Sequence, residues 1–214
     1  STAQLEFWET VKSDQLSSFL IDANEVVKSK QGKNKDKQKQ DTQESQIDEL
    51  LADVVKNDSI TKENNPILDL VVGFNFQGGG PVLAQFLHKD KEKITSYLDL
   101  PEVRRVLPAQ LRYIKFVWGK KSTDTDVVDL YVLRSNRDGI APLSGGVVVD
   151  AVQSYDAVGN AAVNMQMNAK GARVWESLTE KAFKQSSNIA IVLDDIVYSA
   201  PGVSRGAISG GRSE

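Results

Sequence analysis

The sequence predicts an α+β domain, a mostly antiparallel sheet with packed helices, and three stretches carry that prediction. "AAVNMQMN" (161–168) alternates strictly and sets Ala161, Val163, Met165 and Met167 on one side of a strand. Asn168 then caps a helix whose inner face takes Ala172, Trp175, Leu178, Thr179 and Ala182. "IAIVLDDIVYS" (189–199) gives two short apolar runs around a two-residue turn, which reads as a hairpin. With a further strand in "SGGVVVDAVQSYD" (144–156), the last third runs strand, strand, helix, strand, strand.

The rest of the chain is read in order. Leu5 to Trp8 is an apolar run long enough for a strand. Leu16, Phe19, Leu20, Ala23 and Val27 follow at helical spacing. "KSKQGKNKDKQKQDTQESQ" (28–46) has no large apolar residue and cannot offset its ordering entropy by burial. It is a long polar insertion, either a solvated segment or an exposed helical extension, since acidic residues dilute its basic charge. Residues 47–56 regain an amphipathic helical pattern through Ile47, Leu50, Leu51, Val54 and Val55.

In "ILDLVVGFNFQGGGPVLAQFL" (67–87) an apolar run meets three glycines, and Pro81 is expected to open a helix at its first position. Strand, glycine turn and helix can cradle phosphate. However, no Lys-Ser or Lys-Thr follows, and Gly73, Gly78, Gly79 and Gly80 miss the dinucleotide spacing. The better reading is a flexible turn that leaves Phe74 and Phe76 either on a surface or in the core. "KEKITSYLDLPEVRRVL" (91–107) is predicted as two helices broken at Pro101. "LRYIKFVW" puts Ile114, Phe116 and Trp118 on one strand face, "GKKSTDTD" is a hairpin loop, and "VVDLYVLR" returns as the next strand. Arg137 to Pro142 marks a turn.

The 214 residues carry 26 Lys and Arg against 29 Asp and Glu, a net charge of −3. That balance argues against a nucleic-acid partner, whose phosphates need neutralising. The absence of cysteine excludes disulfides, thiolate metal sites and cysteine nucleophiles. A single histidine, His88, leaves a catalytic triad or a histidine metal site resting on one residue. Asp194 and Asp195 could form a carboxylate pair, but a turn sets both in water. Hence no catalytic residue, metal or cofactor is expected. No run of about 18 apolar residues is present to span a membrane.

The last third resembles the first large periplasmic domain of SecD and fused SecDF, accessory subunits of the bacterial Sec export channel. "LSGGVVVDAVQSYDAVGN", "VNMQMNAKGARVWESLTEK" and "IAIVLDDIVYSAPGVSRGAISGGRSE" carry the likeness. Its pattern falls on Asp150, Ala151, Gly171, Ala172, Ile189 to Asp194, Tyr198, Ser199, Ala200, Pro201, Ile208, Gly210 and Gly211. These positions read as mainly structural. "LEFWE" (5–9) resembles the strand that precedes this region in the family. Asp195 stands where the family has glycine, so the hairpin turn is expected to differ in type. A proline of the family is replaced by Ala161, and where the family carries a glycine just before the Ile-Ala-Ile-Val-Leu strand this chain has Ser187-Asn188.

The resemblance divides the chain into an edge strand of the domain base at 1–10, a helical region with the insertion at 11–66, and a head at 67–214 whose motif lies in 140–214. It implies a piece excised from a multi-pass protein on the periplasmic side of the inner membrane, trimmed at a membrane helix. The implied function is proton-gradient-driven preprotein export with SecF and the SecYEG channel. The proton-carrying residues would lie in membrane helices outside these residues. Phe74 and Phe76 are the candidate contacts for the emerging polypeptide. The rival readings are an envelope module that braces the channel, and a small-ligand-binding or hydrolytic envelope protein.

Overall fold

A computed structural model of the chain describes residues 4–40, 64–74, 78–155 and 161–213. The helix expected at 47–56, residues 41–46 of the polar stretch, and Phe76 lie outside the described residues.

Eight strands make the main sheet: β1 (Leu5–Glu9), β2 (Val71–Gly73), β3 (Val82–Leu87), β4 (Ile114–Gly119), β5 (Val127–Arg134), β6 (Leu143–Ser144), β9 (Ile189–Leu193) and β10 (Ile196–Ser199). Three more, β7 (Val148–Tyr155), β8 (Ala161–Met167) and β11 (Arg212–Ser213), form a smaller sheet. The helices are α1 (Phe19–Gln40), α2 (Lys91–Leu98), α3 (Pro101–Arg104) and α4 (Ala169–Gln185). The large sheet runs β2-β3-β5-β4-β10-β9-β1-β6 and the small one β11-β8-β7. Among the described strands only β4 and β10 pair in parallel, so the α+β class with a mostly antiparallel sheet is what the chain adopts.

Side-chain alternation sorts the cores. Ile114, Phe116 and Trp118 of β4 and Val128, Leu130 and Val132 of β5 face α1, α2 and α3. The helical spacing read from Leu16 to Val27 is the face that α1 and the turn before it bury there. Phe7, Ile189 and Ile191 face α4 and the small sheet. Trp8, Val117, Leu133, Ala190, Val192 and Val197 point to the opposite side and form a third core. So β1 is buried on both faces, which explains a run as apolar as Leu-Glu-Phe-Trp.

Beyond Val27, the described side chains of α1 bury nothing further. Up to Gln40 the polar stretch continues as a helical extension. Lys30 Nζ to Glu102 Oε1 at 3.0 Å, and Gln31 Nε2 donating to the Tyr97 hydroxyl at 3.0 Å, fasten it to α2 and α3. Glu102 sits in the first turn of α3, where a backbone N–H and then Lys30 hold its carboxyl below the ordinary carboxylate range.

Two expectations fail. Pro81 opens no helix; it leads into β3, paired with β5 from Val82↔Tyr131 to Leu87↔Val127. Proline is as acceptable just before a strand as at a helix start, and Leu83, Ala84 and Phe86 are buried in the helix-covered core. Nor is β1 an edge strand. It pairs with β9 on one side and β6 on the other, so its backbone groups bond on both flanks while separate cores cover its two faces.

Candidate functional site

α4 starts where the sequence places its cap. Asn168 Oδ1 accepts from Gly171 N at 2.8 Å. Gly171 admits no side chain, because a Cβ there would lie 2.6 Å from Val147 Cβ. Gly211 has φ +69° and its Cβ would lie 2.8 Å from that of Ala172, while its carbonyl accepts from Met167 N at 2.7 Å. Gly210 precedes it with φ +78°. The glycine pair therefore lets β11 come close to the start of α4 and pair with β8.

The β9–β10 hairpin keeps its tight turn without glycine. Asp194 and Asp195 have φ of +49° and +62°, the two left-handed positions of a type I′ turn. The turn type therefore does not change, contrary to expectation; Asp195 takes the strained position itself. Asp194 Oδ1 accepts from Gln4 N at 2.8 Å, while Asp195 pairs with Lys115 at 2.8 Å. The two carboxylates serve different partners and do not form an acid–base pair. Tyr198 is half exposed, with Lys120 Nζ 5.5 Å from its ring centroid. The carbonyls of Ala200 and Pro201 accept from Asn188 Nδ2 at 2.7 Å and from Ile189 N at 3.0 Å. The Tyr-Ser-Ala-Pro segment is thereby fixed against β9.

These supports surround a cleft of about 510 Å³ between the two sheets. One wall is the inner face of the small sheet, with Val148, Ala151, Met165 and Ser213. The other is Leu5, Ile189 and Ile191, with Trp175 of α4. Ser199, Pro201, Val203 and Ile208 close the end. No charged residue lines it, and its two hydroxyl groups belong to Ser199 and Ser213. Such a lining suits an apolar ligand without fixed polar geometry and offers little grip for a phosphate or a carboxylate.

Of the site residues expected from sequence, Ser199 and Pro201 reach this cleft; Gly171, Ala172, Asp194, Ala200, Gly210 and Gly211 build the frame around it. Asp150 points to the other face of the small sheet, beside Val152, Asn164 and Arg212. Phe74 is 60% exposed but follows β2, at the far edge of the large sheet from β1 and β6. Ile191 and Ile208 carry the family pattern but read from sequence as structural, and nothing in the sequence marks Val203. In a sequence, an apolar residue facing a cleft looks the same as one facing a core.

A polar counterpart lies on the outer side of α4, where Glu9 is almost wholly buried. Its Oε1 accepts from Ser187 Oγ at 2.9 Å and lies 3.4 Å from Arg134 Nε, while its Oε2 lies 3.2 Å from Lys181 Nζ. This network ties β1, β5 and α4 together. Among the described residues no group of three His, Asp or Glu side chains converges as a metal site would require. No described helix is long and apolar enough to cross a membrane.

Residues 128–214, from β5 onward, match the family model described as SecDF, P1 head subdomain. Protein translocase subunit SecD of Rhodothermus marinus is 32% identical over 164 residues, 77% of this chain and 25% of that protein. The chain thus spans a quarter of the length of this relative. A crystal structure of SecDF in a super-membrane-facing form is 25% identical, covering 47% of this chain and 16% of that one with a TM-score of 0.33. SecDF from Thermus thermophilus, described as a translocon-associated membrane protein, is 14% identical over 99% of this chain and 26% of that one, TM-score 0.32. On the strength of the family-model match, the 32% identical SecD relative and the motif that frames the cleft, the chain belongs to the SecD/SecDF family of protein-translocation accessory proteins.

Proposed function

We propose that this chain is the periplasmic part of a Sec-translocon accessory subunit and that its inter-sheet cleft holds segments of exported polypeptide. The observation that carries the reading is an uncharged, apolar cleft framed by the motif that marks the family. A channel accessory must accept many sequences weakly, and a surface without fixed charges or a demanding hydrogen-bond pattern does so. SecF and the SecYEG channel are the partners this role implies, and the proton gradient the source of its work. Coupling that gradient to polypeptide movement asks the head to bind and release, not to break bonds.

The test is photo-crosslinking in cells from a photoreactive residue at 191 or 203 of the full-length protein to an export substrate stalled in the channel. Adducts from these positions, and none from an outward control at Glu180, are the expected result. Position 74 tests the alternative surface in the same experiment. Adducts from 74 and none from 191 or 203 would move the contact to the β2 edge, and none anywhere would overturn polypeptide contact altogether.

A further inference from the structure

Among the described residues the two sheets end in four edges, and three are short: β2 has 3 residues, β6 and β11 have 2 each. The fourth, β7, has 8 residues, and among the described residues nothing pairs with its outer side. Long exposed edges are normally blunted by lysine, proline or brevity. β7 reads Val-Val-Asp-Ala-Val-Gln-Ser-Tyr, with no lysine and no proline, and Val149, Val152 and Tyr155 are 62%, 53% and 68% exposed.

The register identifies which backbone groups face outward. Met167 N donates to Gly211 O, so Met167 and Met165 turn their backbone groups toward β11. Gln166 and Asn164 must then turn theirs toward β7, where they oppose Asp150 and Val152. By alternation, the N–H and C=O groups of Ala151, Gln153 and Tyr155 point away from the sheet. Water bonds to such a row when it is open, and another extended backbone can replace that water along its whole length. A strand added there would lie about 4.8 Å from β7, and every second side chain would share the face of Ala151 and Met165. That face is one wall of the apolar cleft.

We infer that β7 is a strand-addition site: an extended polypeptide with apolar residues at alternate positions pairs along it and sets those residues beside the cleft. The inference rests on the polypeptide-contact reading for the identity of the occupant and adds the mode of binding. Backbone pairing is tolerant of sequence, while the cleft supplies a preference for apolar side chains.

The probe is a fluorescent synthetic peptide of alternating valine and threonine with lysine ends, titrated with the 214-residue chain and followed by anisotropy. Its partner is the same peptide N-methylated at consecutive residues, which blocks both backbone edges and keeps the side chains. Gln153→Pro removes an outward N–H without touching the bonds to β8, and Gln153→Ala controls for the side chain. Expected are binding of the plain peptide and a loss of roughly tenfold or more on N-methylation or with Gln153→Pro. Gln153→Ala should bind as the parent does.

Equal binding of the methylated peptide overturns strand addition even if Gln153→Pro fails to fold. If crosslinks from position 191 persist in that case, cleft contact survives without the pairing mode; if they are also absent, both readings fall. No binding of either peptide overturns the inference as well. A concentration-dependent dimer abolished by Gln153→Pro, with no peptide binding, would assign the edge to a second copy of the chain and reject the polypeptide occupant.

Discussion

At the scale of single residues, the most consequential polar side chain is one that composition and periodicity pass over. Asn24 lies inside the amphipathic stretch of α1 and is fully buried. Its Oδ1 accepts from Ile67 N at 3.1 Å and Leu68 N at 3.2 Å, and its Nδ2 donates to Asn65 Oδ1 at 3.2 Å. One amide therefore docks the segment that re-enters the sheet before β2. Asn24→Leu keeps the branched shape but leaves two backbone donors without an acceptor, so it should cost about 2 kcal/mol. Urea unfolding measures this, and a loss below about half a kcal/mol would show that packing of Ile67 alone holds the segment. Sequence could not reveal this residue, because asparagine on a helix is ordinarily solvated and its partners lie about forty positions away.

Among elements, legibility follows how local the cause is. The cap at Asn168, the break at Pro101, the β4–β5 hairpin and the β9–β10 hairpin are set by neighbours in sequence, and all were readable. The β3 strand was not, since a proline after glycines is consistent with either a helix start or a strand start, and only pairing with β5 decides. The position of β1 and the parallel contact of β4 with β10 are decided by strand partners, about which periodicity says nothing. The site follows the same rule. Motif residues that shape turns and close approaches were visible, whereas the cleft is formed by residues brought together from five separate stretches. The hairpin turn offers a direct check. Asp195 holds a left-handed φ that glycine adopts without strain, and its exposed pair with Lys115 contributes little. Asp195→Gly should therefore stabilise the chain by about 0.5–1 kcal/mol, seen as a higher midpoint in urea with unchanged slope.

Across the whole molecule, the large sheet carries two cores side by side on one face and a smaller one behind. Tyr131 packs at the rear core, on β5, next to the β4–β10 junction. Burial, and then the nearby carboxylate of Asp129, push its phenol above the ordinary value near 10. An acid whose folded pKa is raised favours the folded state while it is protonated. That contribution is complete below the unfolded value and fades as pH rises through about 10 toward the folded one. Thermal midpoints of the parent chain should consequently fall more steeply between pH 9 and 11 than those of Tyr131→Phe. Parallel slopes would show that the phenol ionises without penalty. At the acid end, Asp126 is held below its ordinary value by its bond to Lys121, but it is fully exposed and its effect is correspondingly screened.

The interior place of β1 also sets an order of events. Its residues are made before those of either partner, since Phe7 pairs with Leu143 on one side and Ile191 on the other. A half-synthesised chain has no partner for this strand on either flank, and its two apolar faces must wait, exposed to whatever holds unfinished polypeptides in solution. Closure over such separations makes folding slow and late. The sheet becomes continuous only once β9 and β10 have been made, so a chain stopped short of residue 189 would lack the junction between its two halves.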